Sequence, residues 1–157
     1  MSNARRHWLR RWPVIGVAWS GAVVAQARST PAAAKDRMPG DPPEHRLVYQ
    51  LNQSDPDYIE HILNSIGALI SKYEDNVSVV VVVFGPGIHL LARQPKRSVP
   101  PALRERAQGQ ARDYGVRFVA CGNTMKTLGW TSADMLPHAR VEEVGAATLM
   151  ELQEQGY

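Results

Sequence analysis

The chain contains a single cysteine, Cys121, at a position where a thiol could act as a nucleophile. The run 115–120 has the pattern of a short buried strand, and Gly122-Asn123-Thr124 is typical of a turn into a helix. This pattern would place the sulfur at the carboxyl end of a strand, where open α/β sheets build their sites. Helix-terminal N–H groups favour the thiolate, which is the reactive form of cysteine. The pattern therefore indicates sulfur or redox chemistry, with a small buried core residue as the alternative.

Glycines and polar residues close to two predicted strand ends are further candidates for the site. Gly85-Pro86-Gly87 follows a strongly apolar run, so it should share a sheet edge with Cys121, as a pocket wall or only as a tight turn. His89 could be a proton partner of the sulfur or a structural histidine. Asn123 and Thr124 could donate hydrogen bonds to a sulfur anion or only cap a helix. The predicted substrate pocket around Cys121 comprises Gly85, Gly87, His89, Gly122, Asn123 and Thr124.

The sequence has no recognisable pattern for a metal or a phosphate-bearing cofactor. The Gly85 loop lacks the Lys-Ser/Thr of a Walker loop and the third glycine of a dinucleotide fingerprint. The histidines are scattered without metal-ligand spacing to one another or to Cys121. We therefore predict no metal site and no cofactor.

The positive charge of the chain is concentrated at its beginning. The net charge is +3 and the pI is about 9.2, yet four arginines lie in the first dozen residues and no acidic residue precedes Asp36. Beyond Ala27, 14 Lys and Arg residues remain against 15 Asp and Glu residues. The body of the protein is nearly neutral, which argues against nucleic acid as a partner.

Residues 1–27 have the three segments of an export signal. The basic segment includes Arg5-Arg6-His7-Trp8-Leu9-Arg10, which is similar to a twin-arginine motif. The apolar stretch 14–25 is shorter than the roughly 20 residues that a membrane span needs, and Ala25-Gln26-Ala27 fits a cleavage site. We expect a periplasmic or otherwise exported protein that uses the twin-arginine route rather than the general secretory route, without a stable membrane span after cleavage. An uncleaved anchor or a misplaced start codon are the alternatives.

The rest of the chain predicts a linker over 28–44 and one domain over 45–157. The linker is rich in proline and alanine, whereas the domain alternates apolar strand patterns with helical spacing. Strands are expected over 46–52, 77–84, 116–120 and 140–144, and the segment 88–92 could be a brief strand or a helical turn. Such alternation predicts a three-layer α/β/α sandwich around a mostly parallel sheet of about five strands.

Two stretches of the sequence, 84–91 and 112–157, resemble the DsrE/DsrF-like family of small sulfur-handling proteins. The resemblance covers roughly 45–157, and its most specific segment is Ala120-Cys121-Gly122-Asn123-Thr124, with FGPGIHLL and the closing helix in support. It implies a mostly parallel α/β fold that assembles as homotrimers or homohexamers. It also implies that Cys121 receives sulfur as a persulfide and passes it to a partner protein.

The leading functional hypothesis is therefore an exported sulfur carrier or sulfurtransferase-like protein that holds sulfane sulfur on Cys121. Two other classes stay open at this point. The chain could be a non-enzymatic module that binds a small molecule or a partner, with an incidental thiol. It could also be a thiol redox sensor.

Overall fold

A single run of six valines and one serine forms one of the interior strands of the sheet. The computed structural model describes residues 37–38 and 40–157. Its strands and α-helices alternate in chain order: β1 (His45–Leu51), α1 (Pro56–Tyr73), β2 (Val77–Val83), α2 (Pro101–Tyr114), β3 (Arg117–Cys121), α3 (Gly122–Leu128), β4 (Ala139–Glu142) and α4 (Gly145–Glu154). Two 3₁₀ helices, Gly85–Leu90 and Ser132–Asp134, complete the connections.

The four strands form one sheet in the order β1-β2-β3-β4, and every neighbouring pair is parallel. The prediction of an α/β fold with a parallel sheet is confirmed, but the expected count of about five strands was one too high. The segment 88–92 accounts for the difference, because Gly85–Leu90 winds into a 3₁₀ helix. Only Ala92 keeps a strand-like contact, an isolated antiparallel bridge to Met135.

Alternate residues of the strands face two separate cores. One core packs Val79, Val81 and Val83 with Phe118 and Ala120 against the apolar sides of α1 and α2. On the other face, Val80, Val82 and Val119 pack with Leu152 of α4. A strand that is apolar on both faces is therefore covered on both faces, as expected inside a parallel sheet. Helix α4 contacts β1, β2 and β3 on this second face of the sheet.

The ends of α1 and α2 follow signals in the sequence. The Asp55 side chain accepts a hydrogen bond from the Tyr58 amide, and Pro56 occupies the first turn of α1. Helix α2 begins at Pro101 and ends before Gly115, whose φ of 68° is left-handed and suits glycine.

The predicted export signal, residues 1–27, lies outside the described residues. The predicted linker overlaps them only from Arg37 onward, where the Arg37 guanidinium forms an ion pair of 2.7 Å with Asp75. Within the described residues of the chain, no helix is long and apolar enough to cross a membrane.

Gly87 lies where two backbone segments meet without room for a side chain. A Cβ atom at this position would be 2.5 Å from the Leu51 carbonyl oxygen and 2.5 Å from its Cδ2 atom. Both the glycine and Leu51 are buried, so the contact joins the 3₁₀ helix to the carboxyl end of β1. The glycine that sequence reasoning assigned to a pocket wall thus has a packing role.

We expect Gly87→Ala to lower the free energy of unfolding by about 1–3 kcal/mol, because the Leu51 backbone must move to admit the methyl group. Gly109→Ala is the matched control, since its Cβ would meet no atom closer than 3.9 Å. That control lies inside α2 and should gain up to about 1 kcal/mol. Urea denaturation of both variants measures the effect, and equal stability of the two would contradict the steric account.

Candidate functional site

The site forms where β3 ends and α3 begins. Cys121 is the last residue of β3 and the N-cap of α3, with extended φ and ψ of −76° and 116°. Because the strands are parallel, the end of β2 and the segment after β4 lie at the same edge of the sheet. The predicted position of the sulfur at the carboxyl edge therefore matches the structure.

A second helix start points at the sulfur from the other side. The backbone N–H of Gly145, the first residue of α4, donates a hydrogen bond to Cys121 Sγ at 3.2 Å. Free N–H groups and the helix dipole make such a terminus favourable for negative charge. The sulfur thus lies between the beginnings of α3 and α4. Gly145 was missed in the sequence, although it follows the last predicted strand and therefore falls on the same edge.

The hydroxyl of Thr124 connects the sulfur to the loop after β2. Its Oγ1 atom accepts a hydrogen bond from the Gly85 backbone N–H at 3.1 Å. With one lone pair used in this way, the hydroxyl proton is free to point toward Cys121, which it contacts. The structure therefore brings together Gly85, Thr124 and Cys121, three of the residues that the sequence placed in the site.

Opposing influences set the pKa of the Cys121 thiol. Burial raises the pKa, but the N–H groups of Thr124, Gly145 and Asn123 and the Thr124 hydroxyl lower it, and the balance leaves it below the ordinary cysteine value. Cys121 forms no capping hydrogen bond of its own to α3, so on that side the amides act as nearby dipoles. No charged side chain contributes to this shift. Neutral donors alone favour the thiolate here.

Tight packing encloses the sulfur. Cys121 is only 6 % exposed. A Cβ on Gly145 would be 3.0 Å from Cys121 Cβ and 3.4 Å from both Sγ and the Phe84 ring. A Cβ on Gly122 would be 3.2 Å from the carbonyl oxygens of Glu142 and Glu143. The absence of side chains at the two glycines lets α3 and α4 approach the sulfur.

The structure gives His89 a different environment from the one its sequence position suggested. Its Nδ1 atom accepts a hydrogen bond from the Lys96 backbone N–H at 3.2 Å, and its ring packs edge-on against Trp130 with centroids 5.2 Å apart. Burial and the nearby Arg97 and Lys96 charges lower the pKa of His89, which favours the neutral ring. These contacts describe a structural histidine and supply no contact to Cys121.

The Asn123 side chain is exposed, while its backbone N–H donates to the Glu143 carbonyl oxygen at 2.9 Å. This bond ties the start of α3 to the segment between β4 and α4. Within residues 37–38 and 40–157, no group of three or more His, Cys, Asp or Glu side chains is arranged to hold a metal ion.

We expect Thr124→Val to raise the pKa of Cys121, because it removes the hydroxyl that helps to stabilise the thiolate. The midpoint of the alkylation rate against pH would move to higher pH, whereas Thr124→Ser, which keeps the hydroxyl, should stay close to wild type. Reaction with iodoacetamide across a pH series, followed by mass spectrometry, gives these midpoints. Equal midpoints in the valine and serine variants would show that the hydroxyl does not act on the sulfur.

Comparison with known proteins gives both a family and structural relatives. The DsrE/DsrF-like family matches residues 46–157. None of the curated proteins compared with the chain matches it.

Two solved structures share the fold. The protein of unknown function MTH1491 from Methanobacterium thermoautotrophicum is 25% identical with a TM-score of 0.61, over 73% of this chain and 96% of its own. The ychN protein from E. coli is 11% identical with a TM-score of 0.56, over 71% of this chain and 92% of its own, which supports the fold alone. The family match spans well over half of the chain and includes the Cys121 edge of the sheet, so the chain belongs to the DsrE/DsrF-like family.

Proposed function

We propose that the protein carries sulfane sulfur as a persulfide on Cys121 and passes it to a thiol of a partner. The observation that carries this proposal is the hydrogen bond from the Gly145 N–H to Cys121 Sγ at the meeting point of two helix starts. Membership of the DsrE/DsrF-like family supports a sulfur-related role. The specific transfer reaction is our inference from the site.

The loading step is a sulfur exchange without net oxidation. The Cys121 thiolate attacks the outer sulfur of a donor R–S–SH, a new S–S bond forms on Cys121, and the donor S–S bond breaks to release R–S⁻. In the second step an acceptor thiolate attacks the outer sulfur of the Cys121 persulfide, and the Cys121 thiolate leaves. A lowered pKa favours the attacking thiolate in the first step and the leaving thiolate in the second.

Hydrogen-bond donors around the sulfur suit both forms of the residue. The inner sulfur of a persulfide can keep the Gly145 N–H as its donor, while the outer sulfur extends toward solvent. A charge–dipole contact at a helix start contributes roughly 0.3–1 kcal/mol when it is exposed and up to about 2 kcal/mol when it is partly buried. No cofactor is needed, since the transferred sulfur atom is the cargo.

One observation favours a second function, a binding module in which the thiol is incidental. Cys121 is 6 % exposed in the single chain, and deeply buried cysteines are commonly inert. The two functions differ in the reactivity of the folded protein, because an incidental thiol would resist both alkylation and sulfur transfer.

Sulfur loading provides the direct test. After treatment of the folded full-length protein with inorganic polysulfide, we expect an added mass of one sulfur atom or more on the peptide that contains Cys121. Cys121→Ser should give no adduct, because no other cysteine is present. Alkylation of the native thiol in parallel establishes that the sulfur can be reached. A thiol that alkylates but takes up no sulfur would falsify the carrier function.

We also propose that the protein acts as a homotrimer or homohexamer. We place it in the periplasm or outside the cell on the basis of the export signal predicted over 1–27. Three large apolar side chains near β4 and α4 are exposed in the single chain: Val141 and Val144 at 39% each and Met150 at 54%. Val141 and Val144 lie at the end of β4 and directly before α4, and we take this exposed apolar segment as the candidate interaction surface.

Light scattering coupled to size exclusion should give the mass of three or six chains. Val144→Asp should shift the protein toward smaller species, because a carboxylate would be buried in the interface. Met38→Asp is a control at an exposed apolar residue outside β4 and α4. A monomer in the wild-type protein would contradict the assembly.

A further inference from the structure

A groove of about 210 Å³ runs beside the site, between α4 and the sheet. Its walls combine apolar side chains of the second core, such as Val119, with charged and polar groups that include Arg117, Arg140, Glu142, Thr148 and Glu151. The volume is below the range of about 300–1,000 Å³ for drug-sized ligands, so the groove suits a small molecule.

The register of the strands brings one end of this groove next to Cys121. Val119 faces α4 and lines the groove, and Cys121, two residues further along β3, projects to the same face. In the parallel ladder Val119 pairs with Arg140, and Cys121 pairs with Glu142. Glu142 therefore lies directly beside Cys121 and also borders the groove.

The first turns of helix α4 lie at the same end of the groove. Gly145 donates to Cys121 Sγ, and Thr148, three residues later on the neighbouring turn of the helix, lines the groove. Cys121 itself does not line the groove, so the sulfur lies just past its end. Arg140 and Cys121 are diagonal neighbours, since a two-residue step along a strand is about 6.6 Å.

The charges of the groove are arranged for a ligand with charges of both signs. Arg140 projects from β4, with Glu142 two residues beyond it on the same face and Glu151 across the groove on α4. Among the residues that the structure describes, none of these three forms an ion pair. Arg117 lies at the far end, where its guanidinium donates to the Tyr157 hydroxyl at 2.6 Å.

We propose that this groove binds a small zwitterionic hydropersulfide of the amino-acid class and presents its outer sulfur to Cys121. Its carboxylate binds the Arg140 guanidinium, and its ammonium group binds the carboxylates of Glu142 and Glu151. This assignment rests on the proposed function and names the class of its sulfur donor. The Cys121 thiolate attacks the outer sulfur, the donor S–S bond breaks, and the amino-acid thiolate leaves along the groove.

Binding is measured separately from sulfur transfer. S-methylcysteine has the zwitterion but no reactive sulfur, and full-length Cys121→Ser protein has no thiol. Calorimetric titration of the Cys121→Ser protein with S-methylcysteine should show saturable binding. Arg140→Gln, added to Cys121→Ser, should weaken it by about tenfold or more, because a charge-assisted bond to the carboxylate is lost. Arg112→Gln is the matched control, with the same change in charge on the exposed surface of α2.

Transfer is measured with two donors, cysteine hydropersulfide and inorganic polysulfide, in protein that retains Cys121. The loading rate with cysteine hydropersulfide, divided by the loading rate with inorganic polysulfide, should fall by about tenfold in Arg140→Gln and stay unchanged in Arg112→Gln.

The possible outcomes separate the groove from the carrier function. Loading from polysulfide without any binding of S-methylcysteine to the Cys121→Ser protein overturns the groove assignment and leaves the carrier function intact. Arg140-dependent binding without loading from either donor supports the groove and overturns the carrier function. Equal losses in both arginine variants also overturn the groove assignment.

Discussion

The parallel arrangement of β3 and β4 is the constraint on which the site depends. Parallel strands end at a common edge, so the helices that follow them begin at that edge as well. Cys121 lies at the end of β3, and the first amide of α4 therefore meets its sulfur although the two residues are 24 positions apart. In an antiparallel pair the segment after β4 would leave from the opposite edge, and the sulfur would keep only the amides of α3. The lowering of the thiol pKa is thus a consequence of topology as much as of the residues next to Cys121.

Small residues make this convergence possible. Gly122 and Gly145 occupy positions where a Cβ would press on backbone carbonyl oxygens or on Cys121 itself. Gly87 has a similar role at the end of β1, where it packs against Leu51. Glycine lets backbone segments pack closely at these positions. At the Cys121 edge, this close packing also brings backbone N–H donors near the sulfur. A side chain at Gly145 would therefore disturb both the packing of α4 and the hydrogen bond to the Cys121 thiol.

The sequence predicts the fold class and the position of Cys121 because both follow from local patterns. The valine run of β2 is apolar on both faces, and the strand pattern before Cys121 ends at a glycine-led turn. It does not predict Gly145, whose contact depends on the register of β3 against β4. Nor does it predict the environment of His89, because the 3₁₀ helix at Gly85–Leu90 turns that ring toward Trp130. The strand count was too high for the same reason. Strand and turn patterns can be predicted from neighbouring residues, whereas contacts between distant segments of the chain require the structure.

The burial of Cys121 restricts what can reach the sulfur, and its lowered pKa favours the reactive thiolate. A solvent-exposed thiolate would be open to any oxidant, whereas this sulfur is 6 % exposed and held by N–H groups. A disulfide carries a substituent on both sulfurs, so it needs more room beside Sγ than a hydropersulfide does. A terminal sulfane sulfur has no substituent beyond the atom under attack, so it needs the least room at the reacting centre. In-line attack also requires the donor to approach along one direction, opposite to the bond that breaks. The groove beside Glu142 and Thr148 supplies such a direction, because its end lies against the strand neighbour of Cys121 on the β4 side. In the carrier that we propose, this enclosure would favour a slim hydropersulfide over a bulkier donor, because burial limits access to the sulfur.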